Sequence, residues 1–438
     1  MDENLKNEVI EIIQKQSNCS KLNFDINIFD QVPLNAHQFP TIDSTFKKID
    51  IICSNTNFDS FISINDEIKN IYSEIEKINS TYFVSFIFDK CHIKFWNENV
   101  NLDWHILFNE CKLNVYIENS KIYHIHLLAR NFQNCEFEQI SLLNDITIIH
   151  IDLNLTSIKM LQLVKTEILD NEINKIELNN CEINEMTIID STFKRDFTIY
   201  KTKINIIAIK NVDFEVLSEF NEVTFQEEFD LSEITYKGFA LFDKCIFNTK
   251  AKFEYIIFEK FVSFRGSIFN KGLNLDYTSG DKEINFFGIN GLESKESRKN
   301  TSRETYRIIK YNFEKIGNKI EANYYHTLEL ARYRNDIWKH SLLDGIVSFF
   351  HWLSSNYSTN WFLSLFWIFI ISICTNLSLG NDLIILNKIQ FECIFKYINI
   401  LSSINDFNNS YIIMVLNKVS LGYLYYQFLT AVRKDTRK

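Results

Sequence analysis

Glycine and proline are scarce in this chain, whose 438 residues include only 10 Gly and 2 Pro. Tight turns usually depend on these two residues, so the chain must form its corners from other residue types. Apolar residues make up 46% of the sequence, which excludes a disordered chain. The length exceeds what one ordinary hydrophobic core serves, so we expect two or more domains.

Recognisable catalytic motifs are also missing. The sequence has no phosphate-binding Gly-rich loop, no GxSxG nucleophile turn, no HExxH zinc motif and no set of kinase motifs. Its net charge of −10 argues against general nucleic-acid binding, because phosphate contacts need Lys and Arg. We therefore expect a protein that is not an enzyme, uses no cofactor and binds no nucleic acid.

The nine cysteines form no CxxC pair. The N-terminal stretch "MDENLKNEVIEIIQKQ" is charged and amphipathic, which favours a surface helix over a secretory signal. An odd number of cysteines without such a signal indicates reduced thiols in the cytosol. Five cysteines share one motif, in which Cys stands two residues before a large apolar residue: Cys91, Cys111, Cys135, Cys181 and Cys245. We interpret them as small buried apolar residues rather than as a metal or redox ladder.

Two histidines are candidate metal ligands. His124 and His126 would share one face of a strand, but no third ligand is recognisable nearby, which favours a solvated face. His351 beside Trp352 is better explained by packing at a membrane interface.

Large apolar residues recur at steps of five and six. They step by five from Leu143 to Phe193, and after one step of six they continue by five to Phe214; from there six and five alternate to Leu275. A helix needs a period of 3.6 and an isolated strand a period of 2. A step of five instead favours a solenoid in which each short segment adds one side to a coil. The predicted repeat core includes Ile183, Ile188, Phe193, Phe242, Phe247, Phe253, Phe258, Phe264 and Phe269.

This pattern resembles the pentapeptide-repeat family, most closely in "FALFDKCIFNTKAKFEYIIFEKFVSFRGSIF", where the alternating steps are similar to that family's eleven-residue variant. The resemblance implies a mainly β fold, a right-handed quadrilateral β-helix. In that family the large residue of each five fills the centre, and the small residue two before it also faces inward. We place the β-helix at residues 81–285, after a mixed helical and irregular cap at residues 1–80.

A helical period begins at Thr301. Thr301 and Glu304 form a T-x-x-E capping box, and Gly317 with Asn318 ends the first helix. Residues 300–340 are therefore predicted to be a helical hairpin that caps the β-helix. Their pattern of T-Y-R, K, G-N, A and Y resembles the connector of membrane-attached pentapeptide-repeat proteins, which carry a C-terminal two-helix membrane segment.

Residues 341–438 are predicted to be an α-helical membrane region with spans near residues 361–380 and 411–432. "WFLSLFWIFIISICTNLSL" carries no charge over about one bilayer crossing, and "LLDGIVSFFHWLSSNY" before it favours an amphipathic helix at the membrane surface. The second span has Asn417 and Lys418 near its centre, where they should face protein, water or a headgroup. They either line a polar path or contact a partner, or the helix tilts and Lys418 reaches the interface. The ending "LGYLYYQFLTAVRK" resembles the C-terminal signature of the same membrane-attached members.

Basic residues flank both predicted spans on one side. Arg332, Arg334 and Lys339 precede the first span, and Arg433 with Lys434 follows the second. By the positive-inside rule, both termini and the β-helix lie in the cytoplasm. We expect a multi-pass protein of the inner, cytoplasmic membrane of a bacterium.

Three functions are compatible with these sequence features. The favoured one is a non-enzymatic membrane-anchored protein whose cytosolic β-helix is a rigid protein-interaction scaffold, with the lipid bilayer and an unknown protein as partners. The alternative is a pore-forming or channel-like effector, in which the two C-terminal helices form the pore of a homo-oligomer lined by Asn417 and Lys418; no potassium-filter sequence such as T-x-G-Y-G occurs. DNA mimicry directed at gyrase, known for some family members, is disfavoured by a basic cluster on the outside: Lys194, Arg195, Lys201, Lys203 and Lys210.

Overall fold

Two compact units make up the chain, Met1–Asn300 and Thr301–Lys438. The structure is a computed structural model. It describes residues 2–16, 19, 22, 24–33, 45–58, 62–78, 82–89, 91–96, 100–101, 106–109, 111–118, 124–128, 132–133, 135–143, 148–154, 156–168, 175–279, 283–338, 340–380 and 395–436.

The first unit is a β-solenoid of about seven turns, as the repeat predicts. Its helices are α1 (Asp2–Gln14), α2 (Ile62–Ile78) and α3 (Lys295–Asn300). Its described strands are β1 (Phe24–Pro33), β2 (Thr45–Ser54), β3 (Asn57–Phe58), β4 (Tyr82–Asp89), β5 (His92–Trp96), β6 (Val100–Asn101), β7 (Ile106–Asn109), β8 (Lys112–Glu118), β9 (His124–Leu128), β10 (Phe132–Gln133), β11 (Glu136–Leu143), β12 (Ile148–Asn154), β13 (Ser157–Val164), β14 (Glu167–Ile168), β15 (Lys175–Asn179), β16 (Glu182–Phe193), β17 (Phe197–Tyr200), β18 (Lys203–Phe214), β19 (Leu217–Asn221), β20 (Thr224–Tyr236), β21 (Phe239–Asp243), β22 (Ile246–Phe247), β23 (Ala251–Glu254), β24 (Ile257–Phe258), β25 (Val262–Ser263), β26 (Ile268–Phe269), β27 (Leu273–Asn274) and β28 (Ile284–Asn285).

Neighbouring coils pair in parallel along the solenoid. One sheet has the main order β26-β22-β20-β18-β16-β13-β11-β8-β5-β3, and another has the order β28-β25-β21-β19-β17-β15-β12-β9-β6. A five-stranded sheet, β1-β2-β4-β7-β10, completes the N-terminal part, where β1 and β2 are antiparallel. Parallel pairing already begins at β2, which pairs with β4, so residues 1–80 contribute strands as well as helices.

This register stacks the repeat residues into four inward columns, each no more than 3% exposed. The columns are Ile183, Ile204, Phe225, Phe247 and Phe269; Ile188, Ile209, Leu231 and Phe253; Phe193, Phe214, Tyr236 and Phe258; and Ile199, Phe220, Phe242, Phe264 and Phe286. The ring centroids of Phe225, Phe247 and Phe269 are 4.9 and 4.8 Å apart, which matches the usual spacing of paired strands. The stacked rings therefore follow directly from the parallel ladder.

The predicted position of one early core residue is wrong by one. Leu142 is buried and pairs with Leu163, whereas Leu143 pairs with Val164 and is partly exposed. Coil length is the reason: 25 residues, a multiple of five, separate Ile158 from Ile183, but 21 separate Leu142 from its partner Leu163. Counting back at a constant step of five therefore loses the phase.

Left-handed backbone forms two of the corners, mostly without glycine. One corner series is Asn180, Lys201, Glu222, Lys244, Gly266 and Gly288, and the other is Lys165, Asp190, Asn211, Glu233, Tyr255 and Tyr277. The non-Gly residues have φ between 48° and 62°, a conformation that costs about 1–2 kcal/mol for an ordinary L-residue. The prediction that residues other than Gly and Pro form the corners is confirmed at ten of these twelve positions, and Gly266 and Gly288 are the exceptions.

Helix α3 closes the last coil within the first unit. The Ser297 hydroxyl donates to the Phe269 carbonyl at 3.3 Å, and the Asn300 amide donates to the Lys271 carbonyl at 2.9 Å. These contacts give two main-chain carbonyls of the coil side-chain donors from α3.

The second unit is helical. Its helices are α4 (Arg303–Lys315), α5 (Lys319–Ile337), α6 (Leu342–Ser355), α7 (Trp361–Ser378) and α8 (Tyr411–Thr436), with a short 3₁₀ turn at Ile404–Phe407. Ser302, not Thr301, caps α4, because its side chain accepts from the Thr305 amide; the predicted capping box is wrong by one residue. Asn318 caps α5 by accepting from the Glu321 amide.

Candidate membrane hairpin

Helices α7 and α8 form an antiparallel hairpin. At one end the rings of Trp361 and Phe428 lie 6.4 Å apart. At the other end the Asn417 amide donates to the Thr375 hydroxyl at 2.8 Å. Ile368, Leu421 and Leu424 pack together between these ends.

The polarity of this hairpin is the reverse of that in a soluble protein. Its buried positions include Ser364, Ser372, Thr375, Asn376, Asn417 and Gln427. Its exposed positions are largely apolar: Trp361, Phe362, Phe366, Phe369, Leu377, Tyr411, Ile412, Val415, Leu416, Val419, Tyr423, Tyr426 and Leu429. Water-soluble proteins rarely expose such large apolar surfaces, whereas membrane helices pack through small and polar residues.

Within the described part of the chain, one helix is long and apolar enough to cross a membrane. This is α7, Trp361–Ser378, with 18 residues and a mean hydropathy of 1.8. Eighteen residues extend about 27 Å, close to the thickness of a hydrocarbon core. Helix α8 is longer, but Asn417 and Lys418 interrupt its apolar sequence.

Both of these polar residues form hydrogen bonds with other parts of the helical unit. Asn417 is 3% exposed, and besides Thr375 its amide reaches the Tyr397 carbonyl at 3.4 Å. Its carbonyl oxygen has no hydrogen-bond partner among the described residues. The Lys418 ammonium donates to the Ser402 carbonyl at 2.7 Å. Both polar groups therefore contact protein atoms of the helical unit.

A polar network that the sequence did not reveal joins α6, the following turn and α8. The hydroxyls of Ser355 and Ser358 donate to the Gln427 side-chain oxygen at 3.0 and 2.7 Å. The His351 ring contacts the Ser358 hydroxyl at 3.1 Å. Burial, with the nearby charges of Lys434 and His326, lowers the pKa of His351, so the neutral ring is favoured. The only sequence signal for this network is Gln427, a glutamine within an apolar segment.

A buried carboxylate joins α4 and α5. Glu329 is 4% exposed, and its oxygens lie 3.0 Å from the Lys310 ammonium and 3.3 Å from the Arg307 guanidinium. The His326 ring and Arg303 approach it at 3.4 and 3.7 Å. Burial alone would raise the pKa of Glu329, but the bonds to His326, Lys310 and Arg307 lower it from 4.5 to about 2.

The five motif cysteines lie in one column, two residues before the column that begins at Ile93. Each thiol donates to a main-chain carbonyl, as Cys245 does to Phe220 at 3.2 Å. The Cys245 amide in turn donates to the Ser267 hydroxyl at 2.9 Å. The adjacent Cys135 thiol, with burial, raises the pKa of Cys111 to about 12. These thiols therefore link successive coils in their protonated form.

No group of three metal-ligating side chains is assembled among the described residues. His124 and His126 lie in β9, but their side chains are outside the described part of the structure.

An apolar stripe runs along the outside of the solenoid. Leu217, Phe239 and Phe261 occupy the same position in three successive coils. Phe239 is 50% exposed and Phe261 is 39% exposed. Val216 beside them is also exposed. We call these four residues the apolar stripe. The inward columns do not use these side chains, so packing of the solenoid does not require them.

The charges on other outer positions pair between coils. Glu222 lies 3.9 Å from Lys201 and 3.0 Å from Lys244, and Lys237 lies 3.1 Å from Asp213. Paired charges of this kind reduce the net field of either sign along these positions.

The chain matches no protein-family model, no curated protein and no solved structure.

Proposed function

We propose that this chain is a non-enzymatic membrane-anchored protein, in which the helical unit holds the chain in lipid and the solenoid offers a rigid surface to a protein partner. The reversed polarity of the α7–α8 hairpin carries the proposal. The Asn417 amide and the Lys418 ammonium donate hydrogen bonds within the helical unit, while the exposed surface of the hairpin is apolar. That distribution suits hydrocarbon as solvent.

The finer expectations belong to the same proposal. They are membership of the pentapeptide-repeat family, a right-handed quadrilateral solenoid, and a multi-pass location in the inner membrane of a bacterium with the solenoid and both termini in the cytoplasm. The orientation is supported by Arg334 and Lys434, which lie at the end of the helical unit where α7 begins and α8 ends.

Aspartate substitution at exposed positions tests the membrane assignment. Phe366 and Val419 are exposed on α7 and α8, so changing both to Asp would cost little in a protein whose helices face water. In a bilayer each Asp near a helix centre costs about 3 kcal/mol, so the double variant should lose insertion. The matched control is Tyr311→Asp on α4, which is exposed outside the predicted spans.

Alkaline carbonate extraction and flotation on a density gradient measure the result. We expect the wild-type chain and the control to stay with the membrane and the double variant to be extracted. Extraction of the wild-type chain, or membrane retention of the double variant, would contradict the proposal.

Photo-crosslinking in intact membranes tests the scaffold role. A crosslinking amino acid at Phe239, in the apolar stripe, should capture one defined protein, and Phe261→Glu should abolish that product. The same crosslinker at Tyr200, a partly exposed aromatic residue at a different position of the coil, is the control. Equal capture from both positions would show that the stripe has no special role.

A pore remains the second candidate because the hairpin buries several polar groups, including the unpartnered oxygen of Asn417. In this function, copies of the chain would surround a path that Asn417 and Lys418 line. Purified chains in planar bilayers would then conduct, and Lys418→Leu would change the conductance or ion selectivity. DNA mimicry is the least favoured function, because charges of both signs pair on the solenoid surface. Inhibition of gyrase supercoiling by the purified chain would support it.

A further inference from the structure

Two cations in the helical unit have no carboxylate partner among the described residues. The Arg334 guanidinium carbon lies 4.4 Å from the centre of the Trp352 ring, and its Nη1 is buried without a hydrogen-bond partner in the described part of the chain. The Lys434 ammonium donates to the main-chain carbonyl of Tyr357 at 3.4 Å, a long bond. Buried donors normally have partners, so Nη1 of Arg334 is a donor that an acceptor from outside the chain could satisfy.

Both cations lie beside Tyr357. Burial raises the pKa of its phenol, and the nearby Arg334 charge opposes that rise. The neighbouring acids are already engaged, since Glu329 contacts Arg307 and Lys310. Asp336 likewise lies 3.7 Å from Arg332. Positive charge thus collects at Arg334 and Lys434.

The position of this pair is the level expected for headgroups. Lys434 follows the predicted span 411–432 by two residues, at the end of the hairpin where α7 begins with Trp361. Trp338, Trp352 and Trp361 are all exposed in this region of the unit, and tryptophan is typical of the membrane interface. Gly345 allows Trp338 to pack on α6, because a Cβ there would lie 2.8 Å from that ring.

We propose that Arg334 and Lys434 bind the phosphate of an anionic phospholipid headgroup. The planar guanidinium, held against Trp352, donates two parallel bonds to the phosphate oxygens, and the ammonium supplies a second charge. This inference rests on the proposed membrane anchoring and adds a preferred lipid class to it.

Lipid titration of the full-length chain in a neutral detergent tests the site. The probe is dihexanoyl phosphatidylglycerol, and the apparent dissociation constant is taken from the rise in melting temperature, followed by circular dichroism at 222 nm. Dihexanoyl phosphatidylcholine and inorganic phosphate are titrated in parallel. The variants are Arg334→Gln, Lys434→Gln and the two combined, with Lys434→Arg as the charge-conserving variant. Arg433→Gln is the matched control, because Arg433 is exposed on the same helix and loses the same charge.

We expect phosphatidylglycerol to raise the melting temperature and phosphatidylcholine to leave it unchanged. Each glutamine variant should weaken binding about fivefold and the combined variant about 30-fold, since one cation near a charged lipid contributes about 1 kcal/mol. Lys434→Arg and Arg433→Gln should stay within about twofold of the wild-type chain. If Arg334→Gln does not fold, judged by its spectrum without lipid, the Lys434 variants carry the test.

Equal responses to both lipids, or equal weakening by Arg433→Gln, would overturn the inference. An equal effect of inorganic phosphate at the same concentration would overturn the lipid assignment and indicate a soluble anion. Flotation of the wild-type chain separates the two proposals. If the chain floats but shows no lipid preference, only this inference fails, whereas a chain that does not float removes the membrane anchor itself.

Discussion

Gly238 is the position where the solenoid should tolerate a methyl group least. A Cβ placed there would lie 1.2 Å from the main-chain oxygen of Val216 in the preceding coil. A carbon and an oxygen normally stay more than 3 Å apart, so Gly238→Ala must separate the two coils by about 2 Å. The amides of Lys237 and Gly238 both donate to the Phe214 carbonyl, at 2.8 and 3.3 Å, and these bonds would be lost.

The expected cost of Gly238→Ala is about 3 kcal/mol or more, because each buried main-chain group left unpaired costs about 1–3 kcal/mol. Gly266→Ala is the matched control. Gly266 has a φ of +69°, but its nearest neighbour would be the Lys244 side chain at an ordinary 3.5 Å. Alanine is strained in left-handed backbone, but it also lowers the conformational entropy of the unfolded chain, which offsets part of that strain. The expected net cost is about 1 kcal/mol.

Hydrogen–deuterium exchange of the full-length chain, read by mass spectrometry, measures both changes locally. Amides of β19 and β21 should exchange about 150-fold faster in Gly238→Ala, since 3 kcal/mol corresponds to that factor. In Gly266→Ala the amides around residue 266 should accelerate about fivefold, and peptides of α5 should be unchanged in both. Equal acceleration in the two variants would refute the argument from close coil approach.

Three further outcomes test the core, the buried carboxylate and the hairpin. Phe242→Ala should lower the free energy of unfolding by about 3–5 kcal/mol in urea titrations, because its ring stacks between Phe220 and Phe264 at 5.1 and 5.4 Å; Phe242→Leu should cost clearly less. Glu329→Gln should destabilise the chain by about 3–5 kcal/mol. In the wild-type chain the pKa of Glu329 is lower in the folded than in the unfolded state, so the ionised carboxylate stabilises the fold above pH 4.5. That stabilisation, roughly 3 kcal/mol, is lost as the pH falls toward 2. Acid titrations of Glu329→Gln should no longer show this loss. Asn417→Leu should change thermal stability by less than about 1 kcal/mol, because it loses the bond to Thr375 but removes an unpartnered oxygen; a large loss would indicate a partner for that oxygen.

The repeat could be predicted from sequence because a solenoid imposes its geometry on every coil. Phe247 and Phe269 recur at one coil length, and the structure stacks them 4.8 Å apart. Where the coil length is not a multiple of five, as between Leu142 and Leu163, counting in fives could not carry the phase across. Corner positions were not predictable individually, since Lys201 or Tyr255 has no intrinsic preference for left-handed backbone and adopts it because the coils on either side require it.

In the helical unit, too, some features could be predicted from the sequence and others could not. The apolar run of α7 and the polar interruption of α8 are visible in the sequence because local composition determines them. The partners of Asn417 are not, because Thr375 comes 42 residues earlier in the chain and only the hairpin brings the two together. Glu329 also gave no distinctive signal, apart from His326 three residues earlier on the same helix face.

The thiols and hydroxyls that link successive coils have a consequence for oxidative damage. Cys245 is enclosed by main-chain atoms, and burial raises the pKa of its thiol, so little of the reactive thiolate forms at neutral pH. Peroxide should therefore modify these cysteines only when a coil opens. The rate at which alkylating reagents label Cys245 would then report how often the centre of the solenoid opens to solvent.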